Sequence, residues 1–240
     1  MNDWESSSTE ILLNPAATRE LQEGSEKLSL IPGFPRHVWL ATSGSVNGPK
    51  WVALSKQAIL NSAKAVNDNL HSTARDIWLN SLPAFHVGGL GIWARSFLSG
   101  ATVIETKMLK WNPHQFVQLI SETQATLSSL VPAQVYDLVS QKLQSPTTLR
   151  ATLVGGGFLN TSLYQDAKLL GWPLLPCYGM TETASQIATA NFDHPSLKIL
   201  PHAEVKINAE GLICIKSSSL FSAYAIPSQG KRGQPNNLAS

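Results

Sequence analysis

With 240 residues, the chain is long for one domain but fits a single α/β domain with elaborations. Charged residues are 14% and apolar residues 43%, and the net charge of +2 comes from 18 basic and 16 acidic residues with no run of like charge, which argues against a nucleic-acid partner. No apolar stretch approaches ~18 residues, the N-terminus MNDWESSSTEILLNP has no apolar signal core, and Cys177 and Cys214 lie too far apart for a metal or disulfide pattern; together these predict no membrane span, no signal peptide and a reducing cytoplasmic setting.

Along the chain, Ile59, Leu60, Ala63, Val66 and Leu70 recur at helical spacing behind Ser55, a plausible cap. DIWLNSL (76–82) reads as a buried strand, VGGLGIWARSFLSG as a helix closed by Gly100, and ATVIE as a second strand, so this stretch is a β-α-β unit. Asn112-Pro113 is a cap followed by a first-turn proline, and Phe116, Val117, Leu119 and Ile120 continue that helix. ATLSSLV is a strand, and Pro132 opens a helix through Val135, Leu138 and Val139. LRATLVGGG is a strand ending in a glycine turn, NTSLYQDAKLLG a helix stopped by Gly171, and WPLLPC the next strand. The alternation from about residue 55 to 190 predicts layered, largely parallel sheets flanked by helices, an α/β core over 1–200. AEVKINAEGLICIKSSSL alternates apolar and polar residues around Gly211, which predicts a hairpin opening a small β subdomain over 201–226. The Pro/Gly/Asn/Ser-rich residues 227–240 read as a flexible tail.

In an open parallel sheet, ligands bind at the carboxyl ends of the strands. Three segments sit just past predicted strands: Phe85-His86-Val87-Gly88-Gly89, Gly155-Gly156-Gly157, and Tyr178 to Thr183. His86 is either a hydrogen-bond donor facing a ligand or a satisfied structural histidine. The glycine triplet either lets a flat ligand approach the backbone or simply makes a tight turn. Thr181 and Glu182 in CYGMTETASQIAT suit phosphate and Mg²⁺, or equally the cap and first turn of a helix. A fourth segment, ATSGSVNGPKW from Ala41 to Trp51, can wrap phosphate oxygens with amides and hydroxyls beside Lys50, or form an ordinary Gly/Pro/Asn turn; it is not a Walker A loop.

Taken together and in this order, TSGSVNGPK, FHVGG, VGGG, YGMTE and GLICIKSSSLFSAY resemble the adenylate-forming superfamily of acyl-CoA synthetases, luciferases and peptide-synthetase adenylation domains, across roughly residues 38–225. LPAFHVGGLGIWARSFLSGATV, GWPLLPCYGMTETASQIAT and LFSAY are most similar to the o-succinylbenzoate–CoA ligases of menaquinone and phylloquinone synthesis. The resemblance implies ATP-dependent activation of a small aromatic or acyl carboxylate to an acyl-adenylate, then transfer to coenzyme A. It implies that Thr42, Ser43, Gly44, Ser45, Lys50 and Thr181 hold the ATP phosphates, that Gly155, Gly156, Gly157 and Tyr178 hold adenine, and that Gly179 and Met180 belong to the same nucleotide site. It implies Glu182 as the Mg²⁺ ligand, and His86, Gly88, Gly89, Ser185, Gln186 and Thr189 as the acid pocket. Lys50, His86, Thr181 and Glu182 would carry the catalysis.

The sequence departs from the family pattern at Val46, where a hydroxyl residue is usual, at Asn47, where glycine is usual, and at Trp51, where a small residue is usual. After LFSAY the family continues with a Gly-Asp step for the ribose, a hinge and a C-terminal domain carrying a catalytic lysine, none of which is legible in AIPSQGKRGQPNNLAS. The expectation is a chain that binds its ligands better than it turns them over, because closure by that domain normally completes the site. Two alternatives stand beside it: a non-catalytic ATP- or acyl-binding module, and a ligase for another aryl or fatty acid.

Overall fold

The computed structural model describes residues 3–29, 33–42, 50–106, 108, 110–192, 194–225 and 232–233. In chain order the elements are β1 (Glu10–Leu12), α1 (Arg19–Ser29), β2 (His37–Thr42), β3 (Lys50–Ser55), α2 (Lys56–Leu70), β4 (Ile77–Asn80), α3 (Val87–Ser99), β5 (Thr102–Glu105), α4 (Pro113–Thr123), β6 (Leu127–Leu130), α5 (Pro132–Ser140), β7 (Ala151–Val154), α6 (Thr161–Leu169) and β8 (Leu174–Met180). A 3₁₀ turn (Thr181–Thr183) follows, then β9 (Ser185–Ala190), β10 (Leu197–Ile199), β11 (Ala203–Ile207), β12 (Ile213–Ser217), β13 (Ala223–Ala225) and β14 (Arg232–Gly233).

α2, α4 and α6 begin where side chains take up the free amides. Ser55, Asn112 and Asn160 accept hydrogen bonds from the backbone N–H groups of Ala58, Gln115 and Leu163 at 3.0, 3.0 and 2.7 Å. The larger sheet has the strand order β10-β9-β8-β7-β6-β4-β5. Its strands β8, β7, β6, β4 and β5 run parallel, and β9 and β10 extend it antiparallel. The smaller sheet has the order β1-β2-β3-β13-β14, with β1 parallel to β2 and the other pairs antiparallel. β11 and β12 form a separate hairpin.

Strand alternation sets the layers. Val38, Leu40, Val52 and Leu54 pack with Ile59 and Ala63 of α2 and Leu90 and Ala94 of α3. The intervening Trp39, Trp51 and Ala53 face the other way and pack with Leu28 of α1. Trp51, at a position where the family pattern has a small residue, is thus a buried support for α1. The other flank of α2 and α3, through Val66, Leu70 and Ile92, lies on Trp78, Leu127, Leu153 and Leu175 of the larger sheet. On the far face of that sheet, Phe116, Ile120, Val135, Leu138 and Ala167 of α4, α5 and α6 cover Leu79, Leu130, Val154 and Leu174. The stack is helix, sheet, two helices, sheet, three helices. A helix buried on both flanks must be apolar around most of its surface, and α3 carries one charged residue, Arg95.

The N-terminal segment joins this stack. Trp4 is buried in the cluster between the small sheet and α2 and α3, and the fully buried Lys56 ammonium donates to the Asp3 carbonyl (2.6 Å) and Ser6 Oγ (2.9 Å) and pairs with Glu10 (3.1 Å).

One expectation changes at β8. The strand does not end at Cys177 but runs on to Met180, and the segment after it is not a helix capped by Thr181 but one 3₁₀ turn that reverses into β9. SQIAT is therefore strand, antiparallel to β8, with an irregularity at Tyr178 and Gly179.

At the amino ends of the parallel strands, Arg150 grips Asp76 with two bonds, Nε to Oδ1 at 2.8 Å and Nη2 to Oδ2 at 2.9 Å, and gives Nη1 to the Leu70 carbonyl at 2.8 Å. Thr126 Oγ1 donates to the same carboxylate at 2.8 Å. Burial alone would raise the Asp76 pKa, but the Arg150, Thr73 and Thr126 donors outweigh it and hold it below 3.8. A carboxylate with a depressed folded pKa contributes stability above its unfolded value and loses it as pH falls through the folded one. Asp76→Asn is therefore expected to cost about 2–3 kcal/mol in urea unfolding at neutral pH. The gap between parent and variant should close as pH falls below 3.8; a gap of the same size at acid pH would remove the ion pair as its cause.

Candidate active site

A cavity of about 390 Å³ opens at the carboxyl ends of β6, β7 and β8, against the start of α3. Its wall is drawn from the residues between β4 and the first turn of α3, from Arg95 further along α3, from β6 and β7 with the glycines that follow β7, and from β8, Thr181 and the start of β9. An adjoining cavity of about 730 Å³ shares Gly156, Cys177 and Gly179 and adds Gly157, Tyr164 and Tyr178. The three segments predicted to meet at one sheet edge do so here, because they lie at the carboxyl ends of β4, β7 and β8, parallel strands of one sheet.

The turn after β8 is built by close approach. A Cβ on Gly179 would lie 1.9 Å from the Ser185 carbonyl oxygen, so only glycine lets β8 and β9 come together at this point. Ala184 (φ 52°) and Ser185 (φ 104°) then take left-handed backbone, a strain of about 1–3 kcal/mol for each non-glycine residue. The buried Thr183 hydroxyl braces the turn, accepting from the Met180 N–H at 3.1 Å and lying 2.7 Å from the Ser185 carbonyl. The strained pair holds the Ser185 hydroxyl toward the cavity.

Arg95 lies in the wall of this cavity, yet its side chain is nearly inaccessible. Its Nη2 donates to Ser185 Oγ (3.2 Å) and Gln186 Oε1 (3.1 Å), its guanidinium lies 5.6 Å from the Trp78 ring, and Nε has no partner among the described residues. Among the described residues no carboxylate pairs with it. Burial lowers its pKa to about 10, so it remains a cation at neutral pH. Gly91, one helical turn back, leaves the groove that the guanidinium occupies; a Cβ there would sit 3.0 Å from Nη2. A buried cation without a counter-ion is costly, and the cavity is where an anion can supply one.

Glu182 stands between the two sheets. Its Oε1 accepts from Lys50 Nζ at 2.8 Å and from the Tyr224 hydroxyl at 2.9 Å, and the Lys50 ammonium lies 4.1 Å from the centre of the Tyr224 ring. Burial pushes each member of the ion pair toward neutrality. The hydrogen bonds and opposite charges reverse that, so the Glu182 pKa is lowered and the Lys50 pKa raised, and both are charged.

The predicted residues divide as follows. His86, Gly88, Gly155, Gly156, Gly179, Met180, Thr181, Ser185 and Gln186 line the first cavity, and Gly157 and Tyr178 line the second. Partial burial lowers the His86 pKa, which makes its imidazole neutral at neutral pH. Gly89 is not on the wall; it packs on the Leu82 and Pro83 carbonyls. Thr189 is buried behind the wall and acts on it through Gln186, whose Nε2 donates to Thr189 Oγ1 at 2.8 Å. Lys50 and Glu182 form their ion pair outside both linings, and Thr42 pairs with Lys50 across β2 and β3. Ser43, Gly44 and Ser45 lie outside the described residues, as do Val46 and Asn47.

Four residues escaped the sequence reasoning: Arg95, Ser129, Thr183 and Tyr224. Arg95 had a signal, as the lone charge in an otherwise apolar helix. Ser129, whose buried hydroxyl has no partner among the described residues, and Thr183 had none, because serine and threonine occur anywhere.

The sequence matches the AMP-binding enzyme family over residues 37–225. It is 33% identical to the 2-succinylbenzoate–CoA ligase of Lactococcus lactis over 82% of this chain and 46% of that one. It is 31% identical to the 2-succinylbenzoate–CoA ligase of Bacillus subtilis over 72% of this chain and 36% of that one. The structure superposes on O-succinylbenzoate coenzyme A synthetase from Bacillus subtilis in complex with ATP and magnesium ion, with a TM-score of 0.71 and 29% identity, covering 78% of this chain and 42% of that one. The chain thus spans less than half the length of these relatives.

If the close approach at Gly179 shapes the wall, Gly179→Ala should force β8 and β9 apart and cost more than about 2 kcal/mol, roughly 4–8 °C in melting temperature. Gly156→Ala, whose Cβ would meet Val131 at an ordinary 3.5 Å, should cost only the φ strain, about 1 kcal/mol. Equal thermal shifts for the two variants would show that the Gly179 contact relaxes freely.

Proposed function

The chain belongs to the AMP-binding enzyme family, and from that membership we propose that it forms the nucleotide- and acid-binding part of an AMP-forming acid–CoA ligase whose acid is o-succinylbenzoate. The observation that carries this reading is Arg95, a buried cation without a carboxylate partner among the described residues, in the wall of the cavity beside the family's nucleotide segments. o-Succinylbenzoate has two carboxylates. One can react while the other answers the guanidinium. A fatty acid would leave that cation facing methylene groups, a buried charge without compensation. A volume of about 390 Å³ also fits a small aromatic acid.

In the first half-reaction a carboxylate oxygen of the acid bonds to the α-phosphorus of ATP, and the bond from that phosphorus to the pyrophosphate oxygen breaks. In the second, the coenzyme A sulfur loses its proton and bonds to the acyl carbon, and AMP departs. Neutral His86 in the cavity wall would donate to the acid, while Ser185, Gln186 and Arg95 hold its far end. Lys50 would turn its charge to the phosphates from the start of β3, beside Thr42. Gly155, Gly156, Gly157 and Tyr178 would take the adenine between the two cavities. The work asked of these residues is positioning and charge neutralisation.

Glu182 fits Mg²⁺. It is ionised, it offers hard oxygen, and Thr181 adjoins it; among the described residues there is no cluster of three acidic, histidine or cysteine ligands. One carboxylate completed by substrate phosphates and water is the ordinary way Mg²⁺ is held. When bound, the ion would draw charge from the phosphate oxygens.

The test is pyrophosphate release by the purified chain given ATP, Mg²⁺ and o-succinylbenzoate, without coenzyme A. At least one equivalent per chain is expected. ATP binding without release would restrict the chain to a binding role, and no binding at all would overturn the reading. Arg95→Met should weaken o-succinylbenzoate by more than about tenfold and leave ATP affinity within about twofold. Unchanged acid affinity would exclude Arg95 as its anchor.

A further inference from the structure

Tyr224 has no place in the function proposed above, yet it meets the residue that function assigns to the metal. Its hydroxyl reaches Glu182 Oε1 at 2.9 Å from a position 42 residues along the chain. Phe221, just ahead of β13, gives its backbone N–H to the Glu182 carbonyl at 2.8 Å and packs its ring 4.3 Å from that of Tyr224. Tyr224 pairs with Val52 of β3, so its hydroxyl arrives from the sheet that carries Lys50. Main chain and side chain of Glu182 are therefore both held by the 221–224 segment.

That grip answers a local weakness. Glu182 sits in a turn three residues long, where no helix surface limits its side-chain torsions, and an unheld glutamate loses conformational entropy on binding a cation. The two donors on Oε1 differ in kind. Lys50 fixes the carboxylate but cancels its charge. The tyrosine hydroxyl fixes it and leaves the charge whole.

We propose that Tyr224 is a positioning residue for the metal site: its hydroxyl holds Glu182 Oε1 when Lys50 turns to the nucleotide phosphates, so that an oriented, fully charged carboxylate meets Mg²⁺. The proposal rests on the reading that this chain binds Mg²⁺–ATP.

The experiment is isothermal titration of ATP, with excess Mg²⁺ and separately with EDTA, into the parent, Tyr224→Phe, Glu182→Gln and the double variant. The ratio of the two affinities measures the Mg²⁺ advantage. Phenylalanine keeps the ring beneath Lys50 and against Phe221. Tyr224→Phe is expected to lower the advantage about fivefold to tenfold, to leave the EDTA affinity within about twofold, and to have no further effect in the Glu182→Gln background. Tyr224→Leu, which also removes the ring, serves as a second variant and should lose the same advantage. A parent-like advantage in Tyr224→Phe, or an equal loss with and without Mg²⁺, would overturn the proposal and leave nucleotide binding intact. A parent without measurable ATP affinity would overturn the functional reading and the proposal with it.

Discussion

The carboxylate of Glu182 is where two separately built sheets touch. Lys50 comes to it from β3 and Tyr224 from β13, both in the smaller sheet, while Glu182 itself follows β8 of the larger one. Elsewhere α2 and α3 keep the sheets apart. An ion pair at this depth stabilises little by itself, because desolvation offsets much of the attraction. It does fix the distance between the two sheet edges, and the cavities open beside that junction.

The two ends of the parallel strands are built for different ends. At the amino ends, Asp76, Arg150 and Thr126 satisfy one another and lock β4, β6 and β7 together. At the carboxyl ends the groups are left incomplete: among the described residues Arg95 lacks a carboxylate and the Ser129 hydroxyl lacks a partner, and Ala184 and Ser185 hold strained backbone. Strain and unmet polar groups survive only where a rigid frame carries them, and the locked amino ends supply that frame.

The chemical character of the first cavity follows from packing in α3. A helix buried on two flanks has room for one polar group only where a neighbouring position is empty, and Gly91 provides that emptiness for Arg95. Gln186 then holds the guanidinium and is itself held by Thr189. The charge in the wall is thus set by a relay that begins at a residue without access to the cavity.

Much of this was legible in the order of residues. Apolar spacing, capping by Ser55 and Asn112, and glycine stops at Gly100 and Gly171 are local properties, and they located the alternating strands and helices. The family resemblance, which implied an adenylate-forming core, depended on short motifs whose backbone needs are also local. What the sequence could not express was pairing across distance. The extension of β8 through Tyr178-Gly179-Met180 depends on a carbonyl at Ser185 that only the closed turn brings near. Trp51 is out of place by motif but is explained by α1 on the outer face of its sheet. Glu182, Lys50 and Tyr224 could each be seen in the sequence, but their meeting at one oxygen is a property of the tertiary structure. A side chain's type is written residue by residue, whereas its partner and its aim exist only after distant strands have been laid side by side.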